Sequence, residues 1–225
     1  MTDARFVAAA VLAACCPLAA QAQETIDLSA NAGVVSDYRY RGISLSDRDI
    51  AVQGGVDLEA GPFFAGAWAS TIAEYEGADA EIDIYGGLQG SFGETTVRGG
   101  AYAYLYPGGQ GVNYVELIAG AERSFGLVTV GIEAALAPRQ DNVSRANHYA
   151  GLSASLDAGE GWGLIARGGY EDGFYDHKWD WELGASYTSG PLTASLAYVD
   201  TNNGAEDEAG ELGSAGVVAS LLASF

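Results

Sequence analysis

Apolar and polar side chains alternate with a period of two through most of this chain, and short stretches rich in Gly, Asp and Asn interrupt the pattern. A strand turns successive side chains to opposite faces, so the pattern predicts β-structure with two unlike faces. About twelve such segments can be read. They cover 29–41, 51–59, 63–72, 80–92, 95–105, 113–123, 127–136, 149–156, 162–170, 179–188, 192–199 and 213–225. Most approach the roughly nine to eleven residues that a tilted membrane strand needs. No long helical periodicity competes with them.

The connections alternate in kind. Long polar ones span 42–50, 73–79, 106–112, 137–148, 171–178 and 200–212, and tight ones span 60–62, 93–94, 124–126, 157–161 and 189–191. Outer-membrane barrels show this asymmetry, with short periplasmic turns and long extracellular loops. The expected fold is therefore all-β, a single antiparallel transmembrane β-barrel of about twelve strands with both termini periplasmic. The last stretch agrees. Val217, Ala219, Leu221, Ala223 and Phe225 share one face, and the chain stops on that aromatic residue. Soluble domains usually end in solvated, frayed residues. A membrane barrel must instead pair its final strand with its first, because hydrocarbon tolerates no open sheet edge. An apolar alternation ending in Phe resembles the C-terminal insertion signal of bacterial outer-membrane barrels.

Parity assigns the faces. In 179–188, Trp179, Trp181, Leu183, Ala185 and Tyr187 oppose Asp180, Glu182, Gly184 and Ser186. In 127–136, Val128, Val130, Ile132 and Ala134 oppose Thr129, Gly131, Glu133 and Ala135. The apolar side is thin in bulky residues for a packed core yet adequate against lipid tails. Trp179, Trp181, Tyr187 and Tyr198 lie near strand ends, where aromatic girdles belong. The apolar face is therefore expected outside. Slipping a strand by one residue would set Arg98 or Arg167 against lipid, at roughly 2–4 kcal/mol near the midplane. Segment 63–72 is the exception: Phe64 and Trp68 share one parity, Ala65, Ala67 and Ala69 the other, and its orientation stays open.

Composition narrows the class. Ten Lys plus Arg stand against 30 Asp plus Glu in 225 residues, a net charge of −20. Nucleic-acid binding calls for a basic footprint, so that class is excluded. The only cysteines, Cys15 and Cys16, are adjacent, which excludes a disulfide framework and a Cys-based metal site. Residues 1–22 read as a secretory signal: Arg5, an apolar run from Phe6, then Ala20-Gln21-Ala22 as the cleavage pattern. The barrel would then occupy 23–225. Leu12-Ala13-Ala14-Cys15 also reads as a lipoprotein box, which leaves the processing route open. Past the signal, no apolar run is long enough for a membrane helix.

The run from Val34 through Asp37-Tyr38-Arg39-Tyr40-Arg41-Gly42 to Ser44, followed by Ser46-Asp47 and Gln53-Gly54-Gly55-Val56-Asp57, resembles the N-terminal signature of the TorF family of bacterial outer-membrane porins. Tyr104-Leu105-Tyr106-Pro107-Gly108 and Asn113-Tyr114-Val115-Glu116 are similar to further blocks of that family. The resemblance spans nearly the whole mature chain and implies an outer-membrane location and a channel role, with no settled substrate.

Parity then nominates pore-lining residues. Asp37, Arg39 and Arg41 share the parity of Asn31, Gly33 and Val35 and should face the interior. Asp57, Glu81, Asp83, Arg98, Glu116, Glu122, Glu133, Arg167, Asp180 and Glu182 should face it too. One outcome is a water-filled lumen whose acidic excess favours cations. The other is a plugged barrel in which these groups pair as internal salt bridges. About twelve strands lies between sizes that hold only side chains and sizes that leave an open channel. No cofactor or metal is expected: the acidic clusters Glu74–Asp79 and Glu206–Glu211 lack EF-hand spacing and read as solvated faces. Catalysis has little support, since His148 and His177 sit in or beside loops and no nucleophile elbow accompanies Ser144. Expected partners are outer-membrane lipid and small hydrophilic solutes or ions. Homo-oligomers are common among porins, but no residue marks an interface. A closed structural or adhesion barrel acting through its loops is the rival function.

Overall fold

The computed structural model describes residues 26–175, 177–203 and 209–225. The signal-sequence expectation and the Glu206–Glu208 cluster lie outside them. Twelve strands form one closed antiparallel barrel: β1 Ile26–Val35, β4 Ala51–Ala60, β5 Phe63–Tyr75, β6 Ala78–Phe92, β7 Thr95–Leu105, β8 Tyr114–Phe125, β9 Val128–Ala137, β10 Asn147–Gly159, β11 Trp162–Asp172, β12 Lys178–Ser189, β13 Leu192–Thr201 and β14 Gly216–Ser224. A separate two-stranded hairpin, β2 Arg39–Tyr40 with β3 Ile43–Ser44, falls between β1 and β4.

The first and last strands close the ring. Asn31 to Val35 pair in register with Ser224 to Ser220. The final residue joins them: Ala30 N–H donates to the Phe225 carbonyl at 3.1 Å, and Phe225 N–H donates to the Ala30 carbonyl at 2.8 Å. Every neighbouring strand pair is therefore hydrogen-bonded, which leaves no backbone row for lipid to meet.

The faces fall as parity predicts. Leu183, Ile132, Leu196, Leu152, Val217 and Ile84 are exposed on the outside. An apolar belt of this kind suits acyl tails, and a bacterial outer membrane is where such a barrel resides. Phe63, Phe92, Phe125, Trp162, Tyr187 and Phe225 ring the end with the tight turns, while Trp179, Trp181 and Tyr198 stand toward the opposite end. These are the two interfacial girdles.

Two sequence expectations need correction, and one open point is resolved. The first wall strand stops at Val35 rather than Arg41, so Asp37, Arg39 and Arg41 leave the wall and enter an arm of residues 36–50. The connection 73–79 is not a long loop: β5 and β6 run on to a tight turn at Glu76-Gly77, both with positive φ (51° and 95°). The open orientation of β5 is also resolved. Ser70 is buried and Ala69 exposed, so Phe64, Trp68 and Ser70 point inward while the alanines meet lipid. Trp68 has a partner there, the ring of Tyr38 on the arm, 5.2 Å away at 61°.

Candidate functional site

The arm carries an internal hydrogen-bond network of its own. Its tip is Arg41-Gly42, both in the left-handed region (φ 47° and 86°), as a two-residue hairpin matched to strand twist requires. Asp37 gathers its base, accepting from Arg39 Nε at 2.6 Å and from Ser44 Oγ at 2.6 Å. Ser44 Oγ in turn accepts from Arg48 N–H at 2.9 Å, and Ser46 Oγ accepts from Tyr38 N–H at 2.9 Å. Gly42 is needed for space as well: a Cβ there would stand 2.8 Å from Thr201 Cβ.

Wall residues receive the arm in the half of the lumen away from the tight turns. Tyr38 donates to Glu81 at 3.1 Å, and Tyr40 donates to Glu116 at 3.1 Å while meeting the Tyr104 hydroxyl at 3.1 Å. The Arg41 guanidinium grips Glu116 in a fork, at 3.1 and 2.9 Å, and reaches Glu171 at 2.6 Å. It also lies over the Tyr149 ring at 4.1 Å and the Tyr40 ring at 4.7 Å. Glu171 is shared further, accepting from Asn147 at 2.9 Å and pairing with Lys178. Arg41, Glu116, Glu171 and Lys178 are all nearly sealed from solvent. Breaking one partner out of a buried ion pair typically costs about 3–5 kcal/mol, so this network holds the arm firmly. Burial first, then the charges of Glu81 and Asp83, push the Tyr38 hydroxyl far above its ordinary titration range. It therefore remains a donor at any physiological pH.

A tyrosine ladder climbs one side of the lumen. Tyr85 stacks on Tyr102 at 4.6 Å, Tyr102 on Tyr104 at 6.0 Å, and Tyr104 on Tyr114 at 4.5 Å. Glycines on adjoining strands let rings lie flat. A Cβ on Gly66 would come within 2.5 Å of the Tyr85 ring, and one on Gly169 would fall among the atoms of Tyr149. Tyr85 also donates to Asp57 at 2.5 Å.

Beneath the arm the lumen opens into a cavity of about 270 Å³, roofed by Tyr40 and Arg41 and bordered by Arg98, Glu122 and Glu133. The nominated residues thus divide into three sets. Asp37, Arg39 and Arg41 sit in the arm; Glu81, Asp83, Glu116 and Asp180 are buried behind it. Asp57, Arg98, Glu122, Glu133, Arg167 and Glu182 lie on inward-facing positions of the other half, where Arg167 and Glu182 stand opposite each other in register. Glu81 Oε2, Asp83 Oδ1 and Asp180 Oδ2 find no hydrogen-bond partner among the described residues. Glu171 and Lys178 were missed as site residues because 171–178 reads as a loop. Parity carried the signal, since Glu171 continues the face of Arg167 and Gly169, and Lys178 that of Asp180. His148 takes the outward parity of β10, away from the lumen.

Known structures share the architecture. The KdgM porin superposes with a TM-score of 0.63 at 6% identity, covering 88% of this chain and 99% of that one. The NanC porin gives 0.62 at 11% identity, with 88% and 99% covered. An outer-membrane channel of Pseudomonas putida F1 gives 0.52 at 13% identity, with 93% and 100% covered. Identities this low establish the fold alone. No curated protein matches the sequence. Residues 19–225 match a family described as "Bacterial protein of unknown function (Gcw_chp)", and the chain belongs to that family.

Proposed function

We propose that this protein is an outer-membrane porin that passes small hydrophilic solutes or ions, with a weak preference for cations, and that its arm closes the outer half at rest. The observation that carries the reading is the sorting of side chains: apolar residues face lipid, while ionised ones face a lumen that still holds open space below the arm. The likeness of the 34–44 block to TorF-family porins, and the porin fold itself, point the same way. The cation preference follows from the inward acids Asp57, Glu122, Glu133 and Glu182, which outnumber Arg98 and Arg167 on the same half. KdgM has been captured in complex with disordered oligogalacturonate. This acid-rich lumen would repel such a polyanion, so a neutral or cationic solute fits it better.

Single-channel recording of the folded protein in planar bilayers tests the reading. Reproducible open steps are expected, with a reversal potential in a KCl gradient on the cation-selective side. Replacing both Glu122 and Glu133 by Gln should move that potential toward zero. The tightly seated arm favours one rival, a permanently closed barrel that works through its loops. Folded protein that gives no steps, with the arm in place or excised, would overturn the porin reading and favour the rival.

A further inference from the structure

Arg41 sits where a ligand would. Its guanidinium is held in a cradle that belongs to the wall: Glu116 on β8, Glu171 on β11, and the face of Tyr149 on β10. Two carboxylates and an aromatic face are the elements that recognise a planar cation. The carboxylates supply a fork, and the ring quadrupole supplies the stack. Wall residues shape two of the three cradle groups, while Tyr40 of the arm and Tyr104 of the wall both donate to the third, Glu116. Tyr149 lies flat because Gly169 leaves room for it, and Asn147 orients Glu171 through a 2.9 Å hydrogen bond.

The arm's own backbone shows that Arg is not there for the turn. Position 41 has φ of 47°, a region that Gly or Asn fills easily and that Arg occupies at a cost. What an Arg gains at that point is the cradle. The cavity below reaches the underside of the same groups, with Arg41, Glu116 and Tyr149 all on its border. A solute in the open half of the lumen therefore arrives directly at the occupied cradle.

We infer that the Glu116–Glu171–Tyr149 cradle is a recognition site for guanidinium solutes, and that Arg41 occupies it as an internal stand-in that an incoming solute displaces. The inference rests on the porin reading and names the class of solute for that porin. The tethered guanidinium competes at an effective concentration of millimolar order or above. In the unaltered protein, external cations therefore bind weakly and open the path only when abundant.

The test uses the full mature chain folded in detergent, with agmatine as the probe and sodium chloride at equal ionic strength as the control. Calorimetry on Arg41→Gln should show saturable agmatine binding at least about tenfold tighter than in the unaltered protein, as expected when a tethered competitor is removed. Adding Glu116→Gln should weaken it again by about tenfold or more, since one arm of the fork is lost. If Arg41→Gln fails to fold, Arg41→Lys decides the matter. It keeps the charge but not the planar fork, and agmatine should bind it more tightly than it binds the unaltered chain. No binding to a folded Arg41 variant, or binding indifferent to Glu116→Gln, overturns the inference. Agmatine binding in a barrel that never conducts would leave this site standing and remove the porin reading. Conductance without agmatine binding would do the reverse.

Discussion

Gly168 and Gly169 are adjacent on β11 and face opposite ways, so alanine at each should give opposite results. At Gly169 the new methyl would lie 2.6 Å from Tyr149 Cε2 and closer still to the hydroxyl end of the ring. Two relaxations are open. If the ring stays, the overlap strains both strands, at about 1–3 kcal/mol for overpacking of this kind. If the ring swings away, it abandons the Arg41 guanidinium at 4.1 Å and its hydrogen bond to Asp180 at 3.3 Å. A desolvated cation–π contact contributes up to about 2 kcal/mol, so that route is no cheaper. Gly169→Ala should therefore lose about 2 kcal/mol. At Gly168 the nearest atom to an added Cβ is the Asp180 carbonyl oxygen at 3.7 Å, an ordinary contact. There the lower backbone entropy of Ala in a strand should leave stability unchanged or raise it by about 0.5 kcal/mol. Reversible urea unfolding in micelles, followed by tryptophan fluorescence, measures both. The same pair repeated in a Tyr149→Ala background should reduce the Gly169→Ala cost to near zero. Equal stabilities for the two alanine variants, or a full cost without the Tyr149 ring, would refute the idea that Gly169 exists to seat it.

Three further outcomes follow from the same geometry. Leu183 faces lipid and Glu182 faces the lumen, so Leu183→Arg should cost roughly 2–4 kcal/mol on folding into vesicles while Glu182→Arg costs far less; equal penalties would mean the faces are assigned wrongly. Excising residues 37–47 and bridging Ser36 to Arg48 with a flexible linker removes the hairpin, and the single-channel step should grow severalfold; an unchanged step would show that the arm does not obstruct the path. Below pH 10 both the folded and the unfolded chain hold the Tyr38 proton, so its contribution does not vary. Above pH 10 the unfolded chain ionises while the folded one resists, through burial first and the neighbouring Glu81 and Asp83 second, so stability should fall as pH rises. Tyr38→Phe should flatten that decline in an unfolding series taken between about pH 9 and 12.

Strand number, pairing order and the inward or outward sense of nearly every wall residue were already present in the alternation of side chains. A one-residue slip would drive Arg98 or Arg167 into hydrocarbon, and that penalty makes parity a strong constraint in a membrane. The arm was not legible in the same way. Val35-Ser36-Asp37-Tyr38-Arg39-Tyr40-Arg41 continues the alternation without a break, so local pattern cannot separate a wall strand from a hairpin turned inward. Closure of the ring decides it. Pairing between β1 and β14 ends at Val35 with Ser220, and pairing between β1 and β4 at Val35 with Ala51. The residues between Val35 and Ala51 have no place in the wall, and the lumen carboxylates Glu81, Glu116 and Glu171 give Tyr38, Tyr40 and Arg41 their partners. The orientation of β5 was equally undetermined from sequence, because Phe64 and Trp68 suit either lipid or a packed interior. Trp68 turns inward because Tyr38 is there to meet it, and Tyr38 is there because the arm has folded in. The contacts among Arg41, Glu116, Glu171 and Tyr149 join residues as many as 130 positions apart, and only the closed barrel sets those distances.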